Sequence, residues 1–218
     1  MAESPRREPM PMTFKPHPWH GIPIGPKAPE IVTAYIEIVP TDTVKYEIDK
    51  VTGYLKVDRP QKYSNVCPSL YGLIPRTLCA ERVGEFCSER SGRKDVPGDG
   101  DPMDICVLTE RHFTHGNFVL RAVPIGGIRM LDKGQADDKI IAVLEGDVGY
   151  GDWKDVEDCP KGLVERLRHY FLTYKEPPGA HRPVTEILDV YDASEARLVI
   201  ERSREDYRNH FPGMFGAE

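Results

Sequence analysis

The chain has 218 residues, 39% of them hydrophobic and 29% charged, with a formal net charge of −6 and a pI of about 5.7. That is enough for one sizeable core and ordinary for a soluble globular protein, and the acidic balance argues against a general nucleic-acid binder, which carries a basic footprint. The longest apolar runs, such as Ile140 to Leu144, fall far short of the ~20 residues of a membrane-spanning helix, and the opening MAESPRREPM lacks the apolar core of a signal peptide.

Eight of the twenty prolines lie in the first thirty residues, so 1–30 is expected to be an extended arm, neither regular helix nor central strand. Trp19 and Ile22 are the side chains able to pin it to the body. From residue 31 the texture changes, and 31–218 reads as a single domain. IVTAYIEIV alternates as a strand, with Ala34, Ile36 and Ile38 on one face and Tyr35 and Glu37 on the other. TVKYEID repeats the pattern, setting Val44, Tyr46 and Ile48 against Lys45 and Glu47. DKVTG then supplies a turn and YLKVDR a return strand. In that return strand Arg59 shares the parity of Leu55 and Val57, and turns away from them only if the pleat ends or bends near Asp58.

Residues 76–98 are charged, carry three glycines and show little periodicity; they read as a long surface insertion. Further strands are expected at DICVLT (104–109), FVLRAVPIGGIRML (118–131), KIIAVL (139–144) and TEILDV (185–190). Helices come late. In CPKGLVERLRHYFLTYK the residues Leu163, Leu167, Tyr170 and Phe171 fall at helical spacing, Pro160 suits the first turn, and Pro177-Pro178 end the run. SEARLVIERSREDYRNHF is the second helix. Many short strands and then two helices make a mainly β, α+β fold: a small barrel with helices outside. Five cysteines without a framework spacing suit a reducing, cytoplasmic setting.

The stretch DGDPMD, Asp99 to Asp104, crowds three aspartates into six residues. Either a hard divalent cation relieves their repulsion or they form an Asp/Gly/Pro turn. An EF-hand is ruled out: its sixth position needs Gly and here holds Asp104, and its fifth needs an oxygen where this chain has Met103. The polar lead-in GRKDVPG is a poor fit to an aspartyl-nucleophile phosphatase. No GxxxxGK[ST], HExxH, GxSxG or CxxC occurs. A second acidic loop, RMLDKGQADDK, carries Asp132 and Asp137 just before Lys139. Alone it would be a polar hairpin. Beside the first cluster it suggests carboxylates and cations gathered at one mouth of a barrel.

Together DGDPMD, the hairpin YIEIVP…VKYEIDK…GYLKVDR, the loop RMLDKGQADDK and the late HYFLTYK resemble, in that order, the soluble inorganic pyrophosphatases of the first family. The resemblance runs from about Ile31 to at least Lys175. It implies a closed five-stranded OB-like barrel and Mg²⁺-dependent hydrolysis of pyrophosphate to two orthophosphates by metal-activated water, with no covalent intermediate. By position it implies Asp99, Asp104, Asp132 and Asp137 as metal ligands, with Glu37 and Glu47 holding further metal through water. It implies Asp101 as the catalytic proton acceptor, and Lys45, Arg59, Tyr71, Lys139, Tyr174 and Lys175 as pyrophosphate- and phosphate-binding groups. It also implies several Mg²⁺ per site, Mn²⁺ or Zn²⁺ as substitutes, and a homo-oligomer, hexamer or dimer, acting on neither nucleic acid nor membrane. Two features depart from the family pattern. Leu70 precedes Tyr71-Gly72 where Asn is frequent, and the stretch before DGDPMD is longer than in typical bacterial members; it reads as a lid, an oligomer contact or a decoration, and as a lid it would bring Arg90, Arg93 or Lys94 over the site to screen substrate. The competing readings are an OB-type binding module without turnover and a hydrolase of another phosphoanhydride.

Overall fold

The structure is a computed structural model that describes residues 15–176 and 184–214. The first fourteen residues of the arm and Pro177-Pro178 lie outside the described residues. The remainder of the arm runs along the body, with Trp19 buried and its indole Nε1 donating to the Thr77 carbonyl at 2.7 Å. Ile22 packs against the same cluster.

Among the described residues nine strands and three α-helices follow. β1 (Val32–Ile38) pairs antiparallel with both β4 (Leu70–Leu73) and β6 (Phe118–Asp132). β4 pairs antiparallel with β5 (Asp104–Leu108), β5 pairs parallel with β8 (Lys139–Leu144), and β8 returns antiparallel to β6. The five strands therefore close into a ring, the architecture expected from the resemblance. β6 also carries the two-residue β7 (Gln135–Ala136) and β9 (Thr185–Asp192). β2 (Val44–Ile48) and β3 (Leu55–Pro60) form a separate hairpin.

Both faces of the ring strands are covered. Along β5, Ile105 and Val107 enter one apolar cluster and Cys106 and Leu108 another; along β8, Ile140 and Ala142 part from Ile141 and Val143 in the same way. A strand buried on both faces reads as a continuous apolar run, which is what DICVL and KIIAVL are. α2 (Lys161–Thr173) supplies Leu167, Tyr170 and Phe171 to one cluster; α3 (Ala193–His210) supplies Ala196, Val199 and Ile200 to the other. Pro160 stands at the N-cap of α2, where its missing N–H costs nothing.

Three features differ from expectation. Residues 81–91 of the supposed surface loop are a helix, α1 (Glu81–Ser91), with Val83, Gly84, Phe86 and Cys87 buried. β4 is a strand that no alternation announces, because all four of its residues are buried. Glu37 and Tyr35, placed by alternation on the polar side of β1, are also buried, at 5% and 1% exposure, because β1 has neighbours on both faces. All five cysteines are free thiols.

Candidate active site

The polar side chains of the strand ends converge on one cavity of about 310 Å³. Two pieces of local geometry build it. The parallel pairing of β5 and β8 sets Asp104 beside Lys139, the first residues of their strands. In the hairpin, Lys45 pairs with Arg59 but Tyr46 pairs with Val57, so Asp58 is an extra residue in β3. This bulge reverses the parity beyond it and turns Arg59 to the face of Lys45.

Glu37, Glu47, Asp99, Asp101, Asp104, Asp132 and Asp137 all line the cavity, as do Lys45, Arg59, Tyr71, Lys139, Tyr174 and Lys175. Lys50, Asp58, Lys133 and Gln135 line it too and were not singled out in the sequence. Arg90, Arg93 and Lys94 do not: Arg93 pairs with Glu186, and Arg90 lies 3.8 Å from Glu195. The idea that they screen substrate is thereby corrected.

The acids face cations. Lys139, buried in the floor, bonds to both Asp104 and Asp137. The Tyr71 hydroxyl donates to Asp104 Oδ2 at 2.6 Å. Lys175 Nζ sits 2.7 Å from Asp132, Lys50 pairs with Asp101, and Lys45 lies 3.2 Å from Glu47 and 3.1 Å from Asp58. Arg59 holds Asp58 at 2.6 Å and lies over the Tyr174 ring, 5.6 Å from its centroid. Glu37 Oε1 accepts from the Ile48 amide at 2.7 Å, tying β1 to the hairpin.

Burial and mutual repulsion disturb these groups. Burial pushes the Glu37 carboxyl up to about 8, against the opposing pull of the Ile48 amide, with nearby Asp104 adding to the rise. Asp99 is likewise raised to about 8, by burial and then by Asp137. Asp137 is raised by burial, although Lys139 opposes it. Burial alone would lower Lys139, yet Asp104 and Asp137 hold its ammonium well above the ordinary lysine value. Tyr71 is raised by burial and by the adjacent Asp104.

The donor set fits hard divalent cations. It is all oxygen, burial works against charge on Glu37, Asp99 and Asp137 in a way that added positive charge would offset, and the buried Asp132 Oδ1 has no hydrogen-bond partner. Among the described residues no three His, Cys, Asp or Glu side chains are gathered into a metal-holding cluster; lysines stand between the carboxylates instead. Arg59 lines the cavity as well, and its buried Nη2 also lacks a hydrogen-bond partner.

A closed ring of five strands with carboxylates, lysines and an arginine gathered around one small cavity defines a class of protein whose site chemistry suits cations and a compact anion together. The inorganic pyrophosphatase family model matches residues 34–208. Inorganic pyrophosphatase of Chlamydia muridarum is 53% identical over 199 residues, 89% of this chain and 95% of that one. Soluble inorganic pyrophosphatase of rice (Oryza sativa subsp. indica) is 41% identical over 180 residues, 83% of this chain and 75% of that one. Among solved structures, the inorganic pyrophosphatase of Thermus thermophilus superposes with a TM-score of 0.73 at 29% identity, over 88% of this chain and 99% of that one. The chain belongs to the inorganic pyrophosphatase family, whose members hydrolyse pyrophosphate.

Proposed function

We propose that the chain hydrolyses inorganic pyrophosphate to two orthophosphates, with Mg²⁺ as the working cation and no covalent intermediate. The observation that carries this is one small cavity in which a buried acidic floor faces Lys45, Arg59 and Lys175. Its volume of about 310 Å³ is at the low end of ligand sites and suits a compact anion better than a nucleotide.

Asp99, Asp104, Asp132 and Asp137 would hold the cations, with Glu37 and Glu47 behind them; Mn²⁺ or Zn²⁺ would occupy the same oxygens. When bound, such cations neutralise phosphoryl oxygens and make water acidic enough to attack at neutral pH. Asp101, exposed to the cavity and half accessible, accepts the proton of the attacking water. Lys45, Arg59, Tyr71, Lys139, Tyr174 and Lys175 orient pyrophosphate and stabilise the charge that builds on the departing phosphate.

We further propose that residues 31–218 form the catalytic domain with 1–30 as its arm, and that the chain works in the cytoplasm, for which its five free thiols speak. It would form a homo-oligomer, hexamer or dimer, which light scattering would size.

The test is phosphate release from pyrophosphate with and without millimolar Mg²⁺, in wild type and Asp101→Asn. Fast release that needs the cation and falls by about 10²–10⁴-fold in the variant is expected. Release that survives in Asp101→Asn would discard Asp101 as the proton acceptor; no release by folded wild type with Mg²⁺ would discard the hydrolase.

A further inference from the structure

The segment 76–98 does not cover the site, which leaves α1 and its lead-in without a use. Their hydrogen bonds run in two directions. On one side they meet α3. The Asp206 carboxylate, 1% exposed, accepts from the amides of Ala80 (3.0 Å), Arg82 (2.9 Å) and Val83 (3.1 Å). Those are the first amides of α1, whose own N-cap, Ala80, has no side chain to satisfy them. The Leu78 amide donates to the Ser203 carbonyl at 2.9 Å.

On the other side the same few residues meet the acidic loop. Cys79 N donates to the Asp101 carbonyl at 2.8 Å, and Gly100 N donates to the Cys79 carbonyl at 2.9 Å. Thr77 Oγ1 accepts from the Met103 amide at 2.9 Å. The approach is close enough that a Cβ on Gly98 would lie 2.2 Å from the Cys79 carbonyl oxygen. The stretch that leaves α1 is held as well, since Val96 N donates to Ser88 Oγ at 3.0 Å.

We infer that Asp206 is a positioning residue for the acidic loop: from α3 it fixes the start of α1, and Cys79 passes that order on to Gly100 and Asp101. The insertion is thus a buttress beneath DGDPMD. Thr77 and Cys79 hold the backbone of Asp99–Asp104 at three amide or carbonyl points, so its carboxylates are aimed before any cation arrives. The inference rests on the reading of these aspartates as cation-holding groups.

The experiment compares Asp206→Ala with Asp147→Ala. Asp147 is a second buried aspartate that accepts several amide bonds, from Glu110, Gly149 and Tyr150, but no residue of its loop lines the cavity. Both variants lose thermal stability. Amide exchange of the 99–104 peptide in the metal-free protein should quicken about tenfold in Asp206→Ala alone. The Mg²⁺ concentration giving half of the thermal stabilisation should rise about tenfold in Asp206→Ala alone. If Asp206→Ala does not fold, Asp206→Asn, which keeps the shape and one accepting oxygen, should show the same pattern more weakly. Unchanged exchange at 99–104 in the Asp206 variants, or the same change in Asp147→Ala, would overturn the buttress. A wild type that gains no stability from Mg²⁺ would instead overturn the cation reading, and the exchange result would still separate the two.

Discussion

Lys139 shows how one side chain can be costly and necessary at once. It is 1% exposed, and its ammonium is shared between Asp104 and Asp137. Burying a charge is tolerable only when it is paired, and removing one partner of a buried pair typically costs about 3–5 kcal/mol. Lys139→Met should therefore lower metal-free stability by about that amount in urea unfolding. Mg²⁺ should restore a larger share of stability in the variant than it adds to wild type, because the cation takes over the neutralising role. An identical deficit with and without Mg²⁺ would show that Lys139 acts by packing, for instance against Phe171, whose ring lies 5.7 Å away. The unsatisfied Asp132 Oδ1 carries the complementary message: on the proposed reading, an acceptor kept without a protein partner is an atom that a cation would complete.

At the scale of an element, α1 illustrates a helix made by its surroundings. Its sequence ERVGEFCSERS offers only Val83, Phe86 and Cys87 as an apolar stripe, with Gly84 set among them. Such a segment is marginal alone; most helical stability in proteins comes from tertiary packing of one face. Gly84 is there because the chain returning to the acidic loop passes against it: a Cβ would lie 2.4 Å from the Val96 carbonyl oxygen. By propensity Gly84→Ala should gain up to about 1 kcal/mol. We expect the reverse, a loss of about 1–3 kcal/mol from the forced backbone shift, visible as a lower Tm. A higher Tm would mean that residues 96–98 move aside freely. The bulge at Asp58 makes the same point in a strand. One extra residue in β3 changes which face Arg59 occupies, and so whether the cavity has a guanidinium at all.

At the scale of the whole molecule, the arm and the last helix are joined around His20. Its ring stacks on Trp19 with centroids 4.4 Å apart, and Nδ1 lies 2.7 Å from the Tyr207 hydroxyl of α3. Burial, and then the neighbouring His17, lower its pKa from 6.5 to about 4. The fold thus favours the neutral ring. Above pH 6.5 the contribution is complete. As the pH falls from there towards about 4 the unfolded chain takes up a proton that the folded one refuses, and stability is lost. Wild type should therefore lose more Tm between pH 7.5 and 4.5 than His20→Gln, which cannot titrate. Parallel losses in the two proteins would remove His20 from the account.

The sequence by itself determined the strands with clean alternation or unbroken apolar runs, the helices α2 and α3, and most of the polar side chains that meet in the cavity. Asp99, Asp104, Asp132 and Asp137 stand in compact polar loops at strand ends, and their order along the chain with Lys45, Glu47, Tyr174 and Lys175 already carried the family resemblance. Those features were legible because side-chain periodicity and loop composition are local properties. Only the tertiary structure decided the rest. β4 and α1 take their order from neighbours distant in sequence, β4 from β1 and β5, and α1 from Asp206 more than a hundred residues away. Lys50 and Asp58 joined the cavity through hairpin geometry, and Glu37 was buried because β1 is covered on both sides. Local pattern records which face of an element is apolar; it does not record which distant residue will close a helix end, bend a strand or share a buried charge.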